Sequence, residues 1–272
     1  MGADSPLIVF EKVSLYVGER RFLHQIDLTV HEGETLVVAG LPGCGKSFIL
    51  RLVLGMPGVP RGESVQLEGE VSVCGQSLLQ LNGAALQKLR MQMGSVLWGG
   101  GLIDNMDIRR NITLPLYYHF RDVMRAADIE ARCSVLLAEM QLEHLDRPGR
   151  RPVSLNQEEI VCVGLARALI NEPHVLLLDD PTVGLSPAST SRLVRFLFYR
   201  PEFADRTKVH DRAGRPVTRL IATTNLDDYL DCGDCFAVIH DQELRIVGDR
   251  EAVLQSDDPC VKNLLSTKEY TG

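Results

Sequence analysis

The stretch "TLVVAGLPGCGKSFILRLVL", Thr35 to Leu54, decides how the chain is read. Its first five residues form a continuous apolar run, which suits a β-strand buried on both faces. Its last seven suit an apolar helix. Between them, Gly40-Leu41-Pro42-Gly43-Cys44-Gly45-Lys46-Ser47 fits G-x-x-x-x-G-K-[ST], with the strand before it and the helix after it that this motif requires. Glycines at 43 and 45 let backbone N–H groups turn inward around phosphates. The helix that starts through Ser47 and Phe48 adds the positive end of its dipole. Lys46 is placed to reach the β- and γ-phosphates, and Ser47 to hold Mg²⁺. The spacing therefore implies a nucleotide site built from residues 40–48.

Further along, "HVLLLDD" (174–180) is a second buried strand, and Asp179 at its end is expected to face Mg²⁺ through water. The rest of the chain bounds this reading. With 272 residues it holds one large domain or two small ones. Apolar residues at 45% and charged residues at 24% are ordinary soluble composition, and no run of eighteen apolar residues offers a membrane span. The start "MGADSPLIVF" lacks the pattern of a secretory signal. A formal net charge of −7 argues against nucleic acid as a partner. Seven cysteines, an odd number, read as reduced and cytoplasmic. The pair in "DCGDC", Cys232 and Cys235, has no second pair with which to make a four-ligand metal site.

Short β-branched runs predict strands at 7–10, 13–17, 26–30, 94–98, 219–224 and 236–240. Helix is expected through most of 107–147, over 155–170 and from about 188 to 199. Residues 57–75 read as loop and hairpin, and the polar, Pro- and Gly-punctuated 200–217 as a surface insertion.

From about residue 7 to 255, this order of elements resembles the nucleotide-binding subunits of ABC transporters. "ARALINEPHVLLLDDPTVGLSP" (166–187) carries the resemblance most specifically. It implies an α/β P-loop NTPase fold: a mixed sheet with flanking helices, an antiparallel β subdomain and a helical subdomain at about 99–170. Residues 1–255 would form the nucleotide-binding domain and 256–272 a C-terminal tail. It also implies ATP with Mg²⁺ between two subunits, each phosphate loop facing the other chain's signature helix. Tyr16 sits where the family often stacks an aromatic on adenine, and reads equally well as a strand residue of the core.

Against that family pattern, the chain departs at four places. The signature L-S-G-G-Q is here Leu155-Asn156-Gln157-Glu158-Glu159. Asn156 and Glu159 make an Asn-x-x-Glu capping box, and both glutamates satisfy the dipole end that a phosphate would use. A carboxylate about 4 Å from a phosphate charge costs on the order of 4 kcal/mol at an effective dielectric of about 20. The glutamate expected after Asp179 is Asp180, one methylene shorter; misplacement by about 1 Å can cost roughly a hundredfold. The glutamine expected at the end of the 94–98 strand is Trp98, which offers a donor and no acceptor. The histidine expected after 219–224 is Asn225, which cannot be protonated. Asp180 and Asn225 are thus the candidate catalytic positions. With Lys46, Ser47 and Asp179 kept, ATP is expected to bind and to be hydrolysed slowly or not at all.

The segment "GGGLIDNMDIRRNITLPLYYH" (99–119) resembles the corresponding segment in ATPases of MCE/Mla-type lipid transporters, as does the tail "SDDPCVKNLL" (256–265). That resemblance implies a transmembrane permease docked in a groove near 99–119, a homodimer or a heterodimer with another ABC ATPase subunit, and a cytoplasmic place on the inner membrane. Two functions stay open: the energy subunit of a transporter that moves lipid, or a nucleotide-gated structural or regulatory subunit without productive chemistry.

Overall fold

Apolar runs and turn residues divide the chain into ten strands and eight α-helices among the residues that the computed structural model describes, namely 5–56, 64–97, 99–120, 122–198, 211 and 213–265. In chain order they are β1 (Pro6–Val17), β2 (Arg20–His31), β3 (Thr35–Ala39), α1 (Lys46–Val53), β4 (Val65–Val73), β5 (Gln76–Ser77), α2 (Gly83–Arg90), β6 (Met93–Val96), α3 (Ile108–Phe120), α4 (Ala126–Glu139), α5 (Gln157–Leu169), β7 (Val175–Asp179), α6 (Pro187–Phe198), β8 (Thr218–Thr223), β9 (Cys235–His240), β10 (Glu243–Gly248), α7 (Arg250–Leu254) and α8 (Pro259–Leu265). They group into two compact units. Of the described residues, those within 1–88, 178–180 and 218–272 make one unit and those within 89–177 and 181–217 the other.

The first unit carries two sheets. In one, the order β2-β1-β4-β5 is antiparallel throughout. The two strands expected at 7–10 and 13–17 are a single strand. Lys12 takes φ 48° and shifts the register between Phe10 and Val13, which interrupts the alternation without ending the ladder. In the other sheet, β3 lies parallel between β8 and β9, and β10 closes the edge antiparallel to β9. All five residues of β3 are buried, as its unbroken apolar run requires of a central parallel strand. A mixed sheet, an antiparallel β-sheet and flanking helices are the elements expected from the order of motifs.

The second unit is mostly helical. Ile112 and Leu116 of α3, Cys133 and Leu137 of α4, and Val163 and Leu165 of α5 are all buried at 1% exposure or less. Asn111 is fully buried too. Its amide oxygen accepts from the Ile103 N–H at 2.7 Å, and its nitrogen donates to the Ile103, Met106 and Asp107 carbonyls. One side chain therefore shapes the loop before α3. The strand expected at 94–98 is β6, ending at Val96, and Trp98 lies outside the described residues, as does most of the 200–217 insertion. No helix among the described residues is long and apolar enough to cross a membrane.

Candidate nucleotide site

Strand β3 ends at Ala39, and the chain turns through 40–45 into α1. Gly43 takes φ 80° and Gly45 φ 112°, a region that favours glycine. At Gly45 space is short as well: a Cβ there would meet the Phe22 carbonyl oxygen at 3.0 Å and Leu23 Cδ2 at 3.1 Å. Gly45 is the N-cap of α1, makes no side-chain cap bond, and no acidic residue occupies the first turn. A helix start of this kind is an anion-binding geometry.

Lys46 is 4% exposed. Its Nζ donates to the Gly40 carbonyl at 2.7 Å and the Leu41 carbonyl at 3.2 Å, and lies 3.9 Å from Asp180 Oδ2. Ser47 Oγ donates to Asp179 Oδ1 at 3.0 Å. These two hard oxygen donors suit Mg²⁺, which is typically held by one or two protein oxygens together with phosphates and water. Cys44 is half-buried, and burial raises its thiol pKa, with Lys46 pulling the other way. Leu41, Pro42 and Gly43 form the exposed crest of the loop. Phe48 packs at a tilt against Phe22, ring centroids 4.7 Å apart, with the Arg20 guanidinium 4.6 Å over the Phe22 ring. Phe22 thus joins the loop through both its carbonyl and its ring, a role that its place in a strand did not signal. Tyr16 is half-buried on β1, opposite Arg21 and Gln66.

Asp180 leaves β7 with φ 46°. Its N–H donates to the Ala222 carbonyl at 2.8 Å, while Oδ1 accepts from the Thr224 N–H at 2.7 Å and the Thr224 hydroxyl at 3.2 Å. Burial raises its carboxyl pKa against the pull of Lys46 and Thr224. Asn225 is half-buried, and its Oδ1 accepts from the Asp227 N–H at 3.1 Å. Thus Lys46, Ser47, Asp179 and Asp180 converge, whereas Asn225 makes a turn of its own.

The start of α5 has the opposite chemistry. Asn156 Oδ1 accepts from the Glu159 N–H, and Glu159 Oε2 accepts from the Asn156 N–H, both at 2.9 Å. This is the capping box expected from Asn-x-x-Glu. Glu159 Oε1 also lies 3.2 Å from His144 Nε2 and 3.4 Å from Arg150. Glu158 Oε2 accepts from the Ser189 hydroxyl at 2.6 Å, and Oε1 lies 3.4 Å from Arg192. Burial raises the thiol pKa of Cys162, one turn on, to about 11, with Glu158 and Glu159 adding to the effect.

Along 99–119, Gly99, Gly100 and Gly101 all take positive φ. Arg167 donates to the Gly100 and Gly101 carbonyls at 2.8 and 2.7 Å. A groove of about 370 Å³ is lined by Met93, Leu114, Pro115, Tyr118, Arg167 and others, with Tyr118 69% exposed.

A glycine-lined turn between a buried parallel strand and a helix, with Lys46 and the Ser47–Asp179 pair at its mouth, defines a P-loop nucleotide-binding protein. Residues 23–183 match the ABC transporter family, more than half of the chain, and the chain belongs to that family. A methionine import ATP-binding protein, MetN, of Protochlamydia amoebophila is 34% identical over 64% of this chain, which spans about half (48%) of that relative's length. A phosphonates import ATP-binding protein, PhnC, of Frankia casuarinae is 31% identical over 68% of this chain and 72% of its own. An ATP-binding cassette solved as a dimer in a post-hydrolysis state with ADP and Pi superposes with TM-score 0.73 at 24% identity, covering 89% of this chain and 98% of that one.

Proposed function

We propose that this chain is the Mg²⁺-ATP-binding subunit of a membrane ABC transporter, and that its own hydrolysis is weak or absent. The carrying observation is the contrast of the two helix starts, glycine-capped and without acids at α1, capped and acidic at α5. In this reading Lys46 takes the β- and γ-phosphates, Ser47 and Asp179 hold Mg²⁺, and Mg²⁺ supplies charge neutralisation on the phosphates. Asp180, the shorter acid, and Asn225 stand at the hydrolytic positions. The chain pairs head to tail with a copy of itself or with another ABC ATPase. Its groove along 99–119 takes a transmembrane permease on the cytoplasmic face of the inner membrane.

The cargo in this proposal is lipid, on the likeness of 99–119 to MCE/Mla-type ATPases; the relatives named above are named for methionine and phosphonates. A second reading, a nucleotide-gated subunit without productive turnover, is favoured by the capping box itself. Mg²⁺-ATP binding and turnover by the purified chain, beside Lys46→Ala, test both. Micromolar binding without turnover above Lys46→Ala supports the gated subunit. Turnover that Lys46→Ala abolishes supports the energy subunit. Absence of binding overturns both.

A further inference from the structure

The geometry points to Thr224 as a positioning residue of the phosphate site, one that sets Asp180 as the counter-ion of Lys46, so that incoming phosphates must displace a carboxylate before they gain the lysine. This rests on the nucleotide-site reading above.

Asp180 is tied to the end of β8 twice. Its N–H is bound to the Ala222 carbonyl, and its Oδ1 takes both the N–H and the hydroxyl of Thr224. Two donors on one oxygen fix the carboxylate plane, leaving Oδ2 on the Lys46 side, 3.9 Å from Nζ. The same stretch of β8 reaches the loop directly, since the Thr223 carbonyl accepts from the Gly40 N–H at 3.1 Å. The Lys46 and Asp180 side chains are only 4% and 8% exposed, so water screens the pair little. A phosphate arriving at Lys46 meets this carboxylate as a like charge. It must also draw Nζ away from the Gly40 and Leu41 carbonyls.

The consequence concerns affinity and does not depend on hydrolysis. Removing the charge in Asp180→Asn leaves an acceptor for Thr224 but no rival for Lys46. Removing only the hydroxyl in Thr224→Val keeps the shape and loosens Asp180. Thr224→Ser restores the hydroxyl.

The experiment is calorimetric titration of the purified full chain with Mg²⁺ and the β,γ-imido analogue of ATP, with Lys46→Ala as control. Asp180→Asn is expected to tighten binding about tenfold, Thr224→Val about threefold, and Thr224→Ser not at all. In the Asp180→Asn background, Thr224→Val is expected to add nothing, because its effect runs through Asp180. An equal effect of Thr224→Val in both backgrounds, or no tightening by Asp180→Asn, overturns the inference and leaves the nucleotide site standing. Binding lost in Lys46→Ala but present in the wild type keeps these outcomes separate. Failure of the wild type to bind overturns the nucleotide reading and this inference together.

Discussion

Helix α1 begins through Gly45 at φ 112°, without a side-chain cap and without an acid in its first turn, whereas α5 begins through Asn156, closes its own capping box and carries Glu158 and Glu159. Every helix start leaves backbone N–H groups without an intrahelical acceptor. At α1 the surrounding groups, Lys46 and the Ser47–Asp179 pair, suit a multiply charged anion with its Mg²⁺. At α5 the chain supplies the anion itself, and Arg150, His144, Arg192 and Ser189 surround the two carboxylates. Similar helical ends are thus turned to different uses by a handful of side chains at each. In the proposed reading the difference also separates affinity from turnover: α1 would hold ATP, and the capped, acidic α5 would not grip its γ-phosphate across a dimer.

The largest expected effect is at α1. Lys46→Ala removes the one cation inside the loop, and a charge-assisted contact of this kind contributes about 1.5–3 kcal/mol per hydrogen bond. Mg²⁺-ATP affinity should fall by about a hundredfold to ten-thousandfold on two such bonds, read by calorimetry. Unchanged affinity would move the nucleotide away from residues 40–48 and dissolve the comparison.

Next comes the attempt to make α5 resemble α1. Asn156→Ser, Gln157→Gly and Glu158→Gly together restore most of the family signature and remove a carboxylate worth on the order of 4 kcal/mol against phosphate at close range. ATP-dependent dimerisation and turnover should rise by about tenfold or more, read by sizing and phosphate release. No change would mean that the acidic start is no obstacle. Asp180→Glu, which adds the missing methylene, is expected to raise turnover less, about fivefold, because Thr224 still holds the carboxylate on the Lys46 side.

What the sequence disclosed was mostly local in origin. The phosphate loop and the capping box are set by residues within eight positions of one another, and both have the geometry that their spacing predicts. β10 escaped because none of its six residues is buried, three being exposed and three half-buried; its Ile246 is 53% exposed, so no apolar period marks it. The split reading of β1 has the same root, a bulge at Lys12 that breaks the period while the ladder continues. Thr224 was invisible for a different reason. Its bond to Asp180 spans 44 positions and depends on how β8 passes the end of β7, which no local pattern encodes. Phe22 is likewise tertiary, legible only once its ring meets Phe48.

The smallest effect isolates the cap from the charge. Asn156→Ala removes the acceptor of the Glu159 N–H but leaves both glutamates and their basic neighbours in place. An N-cap of this type contributes about 1 kcal/mol, which in a chain of this size lowers the melting temperature by about 2–4 °C. Nucleotide affinity at α1 should not move, since Lys46, Ser47 and Asp179 are untouched. Turnover should not rise either, because opening the cap alone leaves Glu158 and Glu159 where a phosphate would have to lie. A melting curve and a phosphate-release assay on this one variant therefore separate two explanations of the acidic start. A lower melting temperature with flat turnover assigns the block to the carboxylates. Increased turnover would assign it to the closed backbone, and the triple variant, whose serine at 156 still caps the Glu159 N–H, would then gain little.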